Sequence, residues 1–417
     1  MASFFTWLDY SEQDKRKMLD VISLFSEKTT RDELGISSVR DAFADLFFPG
    51  TSTIQTRARY FLFTSWIYLD LIRRKTPSNQ IVAKLRQKEV ELINALAASG
   101  ETKGVIGIQA RAALKRLPSN IYWYGLGAWG IRQFLGSQDE YHRSLDSLHR
   151  LGRRTQCNDD GEPVDGKIAA NWHQGLPPAP PNFPDNVTFR LIPAEAEYLA
   201  ERIITQNPNS LLAFLVRNYV IARGDRCRLT SPTIFAWDHP LFAQFPADIQ
   251  QQLHHAQNFS ETIQGAALLY NLMLAEQKQA EELAEQYRQV LQDWAHQLAV
   301  RQDDLSQWAQ QEFWKTVEAG GAQVSLPTRS FIRCWLDLAL NPDIAQVIAT
   351  NLEARSRIQE REAALKGGQA RLGNPRALEL WQGESGTAQL DYRWGTTQRI
   401  LSDILNSFTQ EGENVTA

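Results

Sequence analysis

Apolar residues recur at helical spacing through most of this chain, and β-rich runs are few. A fold built mainly of α-helices is therefore expected. The clearest segment is Tyr60 to Ile67, where Tyr60, Phe61, Leu62, Phe63, Trp66 and Ile67 leave almost no polar face. A helix that is apolar nearly all round belongs in a core. The apolar stretch from Tyr60 to Ile72 is interrupted by Asp70 and is too short to span a bilayer, so no membrane is expected. Met1 to Tyr10 lacks the basic region of a signal peptide and carries Asp9.

Period and punctuation place the other helices. The first is expected from Ser11, with Asp14 at the capping-box position and Met18, Leu19, Ile22 and Phe25 on one face. The next covers Ser37 to Phe47 and is broken by Pro49-Gly50. Thr51, Ser52 or Thr53 is placed to cap a third, continuing to Lys75. A charged amphipathic helix over Ser78 to Ala98 closes at Gly100, a short one ends at Leu117-Pro118, and Ser119 caps another carrying Tyr122, Trp123, Trp129 and Phe134. The first 136 residues thus hold two helix-turn-helix-like units. Further helices are expected at 194–206, 210–223, 246–257, 260–297, 303–318, 327–340 and 343–366, with one short strand at Thr188 to Ile192. Asn341-Pro342 suits a helix start, Gly367-Gly368 a stop, and a last helix runs from Thr396 to Ser407. Four blocks result: a basic helical domain (1–151), a Pro/Gly-rich connector (152–192), an acidic helical domain (193–366), and an irregular C-terminal segment with the final helix (367–417).

At 417 residues, two or three domains are expected. Charge is unevenly spread. Residues 1–155 carry 23 Lys+Arg against 16 Asp+Glu, and the remainder 21 against 32. A basic part joined to an acidic part suggests a polyanion on one side and a protein on the other, unless surface composition has simply drifted. Cys157, Cys227 and Cys334 lie far apart and form no CxxC pair, which argues against a thiolate zinc site and suits a reducing cytoplasm. The 12 tryptophans are read as core and interface filling.

Motifs of chemistry are weak. Gly125-Leu126-Gly127-Ala128-Trp129-Gly130 matches GxGxxG, but a helix start precedes it and no βαβ pattern follows. Close helix packing is the expected role, and no cofactor is expected. Three [DE]xK pairs occur, Glu101/Lys103, Asp165/Lys167 and Glu276/Lys278, about as many as chance allows. Asp165-Gly166-Lys167 is the best placed, beside Asp159 and Asp160. His142/His149 and His254-His255 lack metal-ligand spacing, and HExxH, a P-loop and GxSxG are absent.

The segment with most character runs from Gly50 to Tyr60. A turn here delivers hydroxyls, an amide and two arginines to what reads as a helix N-terminus, a place that welcomes phosphate. Arg73, Arg74 and Lys75 close the same helix, and Lys103, Arg111, Lys115 and Arg116 add a second basic cluster. Thr53, Gln55, Arg57, Arg59, Arg73, Arg74, Lys103, Lys115 and Arg116 are the expected nucleic-acid contacts. The structural alternative pairs Arg57 and Arg59 with Asp41 or Asp45. A further basic stretch, Arg355, Arg357, Arg361, Lys366, Arg371 and Arg376, is mixed with acids and reads as a solvated helix face.

Trp7-Leu8-Asp9-Tyr10, Arg31-Asp32-Glu33-Leu34-Gly35, the run from Phe48 to Phe63, the Tyr122-to-Arg132 segment and Asn374-Pro375-Arg376-Ala377-Leu378-Glu379-Leu380-Trp381 together resemble a bacterial family, domain of unknown function 6361. The resemblance spans most of the chain and carries over no catalytic residue. It implies a setting in bacterial antiphage defence, beside a helicase or nuclease. The leading expectation is an accessory subunit that contacts DNA or RNA through its basic part and a protein through its acidic part. A protein-only helical adaptor, or a metal-dependent nuclease using Asp165 and Lys167, are the alternatives.

Overall fold

The computed structural model describes residues 32–154, 171–221 and 232–409. Sixteen α-helices occur among them. They are α1 (Ser37–Phe47), α2 (Tyr60–Arg73), α3 (Ile81–Ala98), α4 (Pro118–Ala128), α5 (Gln138–Arg154), α6 (Pro193–Gln206), α7 (Leu211–Ile221) and α8 (Ala247–Gln277). Then come α9 (Glu281–Val300), α10 (Gln302–Ser306), α11 (Gln310–Ala319), α12 (Leu326–Ala339), α13 (Pro342–Gln346), α14 (Leu352–Lys366), α15 (Pro375–Glu379) and α16 (Trp394–Thr409). The expected helix from Ser11, together with Cys157, Cys227, Asp159, Asp160, Asp165 and Lys167, lies outside the described residues.

The mainly helical expectation holds, and no described helix is long and apolar enough to cross a membrane. The short strand at Thr188 to Ile192 does not form: the Phe189 N–H donates to Glu101 Oε1 at 2.7 Å rather than to a neighbouring strand. The only isolated β-bridge among the described residues pairs Arg132 with Trp172. Where one helix was expected over 260–297, the chain breaks between α8 and α9, with Gln279 at φ +56°. The stretch 343–366 also divides. Asn341 caps α13 by accepting from Asp343 N–H at 3.1 Å, and Asn351 caps α14 by accepting from Ala354 N–H at 2.9 Å.

The chain divides into two compact units, each made of two pieces: Met1–Phe43 with Gln251–Tyr392, and Ala44–Gln250 with Arg393–Ala417. In the second, α2 is buried nearly all round, from Tyr60 through Tyr68 and again at Leu71 and Ile72. Its Phe61 ring stacks on Trp129 at 3.9 Å, and Tyr122 meets Phe61 edge-on at 4.9 Å. Such aromatic pairs add about 0.5–1.5 kcal/mol each beyond the area they bury. Helices α6, α7 and α16 pack together in the same unit.

In the first unit, α8 is the central element, with Leu268 to Ala275 almost wholly buried. Two indoles fasten neighbouring helices to its backbone. Trp294 Nε1 donates to the Glu261 carbonyl at 2.7 Å and Trp335 Nε1 to the Thr262 carbonyl at 2.9 Å. Gly265 gives the Trp294 ring its room, since a Cβ there would meet the indole. Nine tryptophans are buried (Trp66, Trp123, Trp129, Trp172, Trp294, Trp308, Trp335, Trp381 and Trp394), in keeping with their expected packing role.

Candidate functional site

Residues 48–59 form a folded loop, not the helix start expected at Thr51 to Thr53. Thr51 Oγ1 donates to the Phe48 carbonyl at 2.7 Å. Gln55 then clamps the turn from both ends of its amide: Oε1 accepts from Ser52 N–H at 3.2 Å and Nε2 donates to the Gly50 carbonyl at 3.1 Å. Gly50 takes φ +83°, and Trp129 Nε1 donates to the adjoining Pro49 carbonyl at 2.8 Å. Helix α2 begins only at Tyr60, so the hydroxyls of 51–53 do not stand at a helix N-terminus and no anion site of that kind is built there.

The two arginines of the loop point inward. Arg57 lies in a fork with Asp403 of α16, Nε to Oδ2 at 2.9 Å and Nη2 to Oδ1 at 2.8 Å, and its guanidinium sits 4.6 Å from the centre of the Phe189 ring. Asp403 Oδ2 also accepts from Ala58 N–H at 2.9 Å. Burial pushes the Asp403 carboxyl above its ordinary range, against the pull of Arg57. Arg59 is 6% exposed; its Nη2 donates to Glu195 at 2.8 Å and its Nη1 to the Thr188 carbonyl at 2.8 Å. Pairing with acids was the structural alternative, but the partners differ: Asp45 accepts instead from Arg393 at 2.6 Å. Gln55 and Arg59 are therefore buried and occupied within the fold, while Arg57 is held by Asp403 through Nε and Nη2 and remains partly exposed.

The remaining expected contacts, Thr53, Arg73, Arg74, Lys103, Lys115 and Arg116, are exposed. Arg74 pairs with Asp70 at 2.9 Å. Lys115 and Arg116 follow a segment held to α3 by Arg86, whose Nη2 donates to the Leu114 carbonyl at 2.9 Å. The second basic stretch is mostly not a solvated face. Arg361 is buried and donates to the Leu34 carbonyl at 2.8 Å and Thr328 Oγ1 at 2.8 Å. Lys366 and Arg371 both hold Glu33, the latter at 2.9 Å, while Arg355 pairs with Glu276; only Arg357 of these keeps to exposed pairs.

The glycine motif has the packing role expected of it. Gly125 lies on α4, and a Cβ there would meet the Gly50 carbonyl oxygen and the Phe61 ring. In the two described [DE]xK pairs, Glu101 receives Phe189, Glu276 holds Arg288 and Arg355, and Lys278 donates to the Trp381 carbonyl at 2.8 Å. Among the described residues, no group of three or more His, Cys, Asp and Glu side chains is placed to hold a metal ion.

A concave site that sequence reading missed lies along α2. One wall is the α2 face bearing Trp66, Ile67, Asp70, Arg73 and Arg74, with Lys88 from α3. The other is Pro177, Pro178, Ala179, Pro180 and Phe183, and the groove has a volume of about 370 Å³. The proline run of the expected connector packs on α2: Trp66 Nε1 donates to the Pro177 carbonyl at 2.7 Å and Phe183 meets Trp66 edge-on at 5.3 Å. Nothing local in the sequence showed which helix it would lie against.

A model of a family of unknown function (DUF6361) matches residues 2–407. The chain belongs to that family. Nothing matches it among curated proteins or among solved structures. The family match agrees with the resemblance carried by the Phe48-to-Phe63 and Tyr122-to-Arg132 runs. In the structure these two runs pack against each other through Phe61, Tyr122 and Trp129.

Proposed function

We propose that this chain is a helical scaffold subunit that holds a protein partner, in the defence setting that the family resemblance implies. The observation that carries the reading is the inward commitment of Arg57 and Arg59 to Asp403 and Glu195. A phosphate-binding arginine needs an open guanidinium, and these two have carboxylates in that place. Their charge contributes to closing the fold rather than to a polyanion-facing surface.

A second reading keeps nucleic acid as the partner and moves the contacts outward. It is favoured by Arg73, Lys103, Lys115 and Arg116, which are exposed and form no ion pair among the described residues. The two readings separate by titration at two salt concentrations. The scaffold reading expects no retention on heparin at about 0.15 M salt and no gel shift of duplex or single-stranded oligonucleotides. A salt-dependent shift whose slope falls by about 1 for each of Lys115→Ala and Arg116→Ala would establish the second reading instead.

A further inference from the structure

The groove along α2 combines two kinds of surface. Its apolar surface is Phe183 and the proline wall, with Trp66 and Ile67 almost wholly buried beneath. Its charged side chains are three cations, Arg73, Arg74 and Lys88, against one carboxylate, Asp70. That carboxylate is already held by Arg74, and Lys88 pairs with Glu91, which does not line the groove. Arg73 has no acidic partner among the described residues and is exposed at the groove's edge. A volume of about 370 Å³ is in the range of pockets that enclose a ligand rather than a single side chain.

From this arrangement we infer that the groove is the docking site for an acidic peptide segment of a partner protein, anchored by an apolar side chain. The anchor lies on Phe183 and the proline wall, and a flanking carboxylate meets Arg73, whose neighbours Arg74 and Lys88 are already ion-paired. Charge selects the occupant: a basic or neutral apolar peptide would leave Arg73 without a counter-charge beside a partly desolvated site. Base stacking is disfavoured, because Trp66 is 3% exposed and wedged among Phe63, Phe183 and the Pro177 carbonyl. This inference rests on the scaffold reading and names the chemistry of its partner.

The test uses the full chain and three short fluorescent peptides: glutamates around a leucine pair, the same with lysines for glutamates, and glutamates without leucines. Polarisation is expected to rise with the first alone, and to weaken with salt. Arg73→Glu/Arg74→Glu, which alters only exposed side chains, is expected to weaken binding at least about tenfold. Ala179→Trp fills the groove without touching its cations and is expected to abolish binding. Equal binding by both variants and the unaltered chain, or no binding of the glutamate–leucine peptide at about 1 mM, overturns the assignment. A single-stranded oligonucleotide that binds the unaltered chain and is lost with Ala179→Trp overturns it in favour of nucleic acid. Salt-dependent oligonucleotide binding that Ala179→Trp leaves intact would instead overturn the scaffold reading and leave the groove to be judged by the peptides.

Discussion

Glu89 on α3 is 1% exposed and has no cation bonded to it; Ser119 donates to it through N–H at 2.6 Å and Oγ at 3.0 Å. Burial raises its carboxyl to about 7 despite these bonds. A carboxyl raised on folding stabilises most when both states are protonated, and that contribution is lost as pH rises from the unfolded value toward the folded one. Stability is therefore expected to fall between about pH 4.5 and about 7, by roughly 3 kcal/mol for this group, and to level off above. Glu89→Gln should remove that slope, because an amide keeps an acceptor for Ser119 and never ionises. Chemical denaturation at a series of pH values reads it directly; an unchanged slope in the variant would place the titration elsewhere. The sequence marked the arginines of the 50–60 run as worth asking about, but not their partners. Asp403 lies 346 residues from Arg57 and Glu195 lies 136 from Arg59, while the near candidates Asp41 and Asp45 are acids that sequence distance alone brings to mind.

Helices were legible where an apolar period and a cap agree. The expectation at Ser37 to Phe47 coincides with α1, and Pro342 and Gly367 mark a start and a stop as expected. Breaks without Gly or Pro were not legible: Gln279 reverses the chain between two strongly helical segments by taking a positive φ. The loop at 51–59 misled for a different reason. Hydroxyls that cap helices also close turns, and the side chain of Gln55 decides in favour of the turn. The close approach of α4 to that turn yields an expectation of its own. Gly125→Ala would press a methyl group onto the Gly50 carbonyl and the Phe61 ring, so a loss of about 1–3 kcal/mol is expected in denaturant unfolding. Gly100→Ala meets open space and adds no clash, although its φ of +82° still disfavours a side chain. Equal stability of Gly125→Ala and the unaltered chain would mean that this contact is looser than described.

Among the described residues, some of the charge that reads as surface in the sequence is used inside each unit. In the first, Glu33 is gripped by Lys366, Arg371 and Ser385. Burial works against its charge, but these partners prevail and lower its carboxyl to about 2. A carboxyl lowered on folding gives stability that is present above the unfolded value and lost as pH falls through the folded one. Acid unfolding between about pH 4.5 and about 2 should thus include a step of on the order of 2 kcal/mol from this group, allowing for solvent screening, and Glu33→Gln should lack it. In the second unit, Arg59 and Glu195 meet at 2.8 Å with 8% and 2% of their side chains exposed. Breaking such a pair from one side leaves a buried, unpartnered charge and costs about 3–5 kcal/mol.

Arg59→Ala, followed in parallel by denaturant unfolding and by oligonucleotide binding, is therefore the measurement closest to the central claim. A stability loss of about 3–5 kcal/mol, with oligonucleotide binding as negligible as in the unaltered chain, is the result the scaffold reading predicts. Unchanged stability together with loss of a nucleic-acid complex formed by the unaltered chain would contradict it.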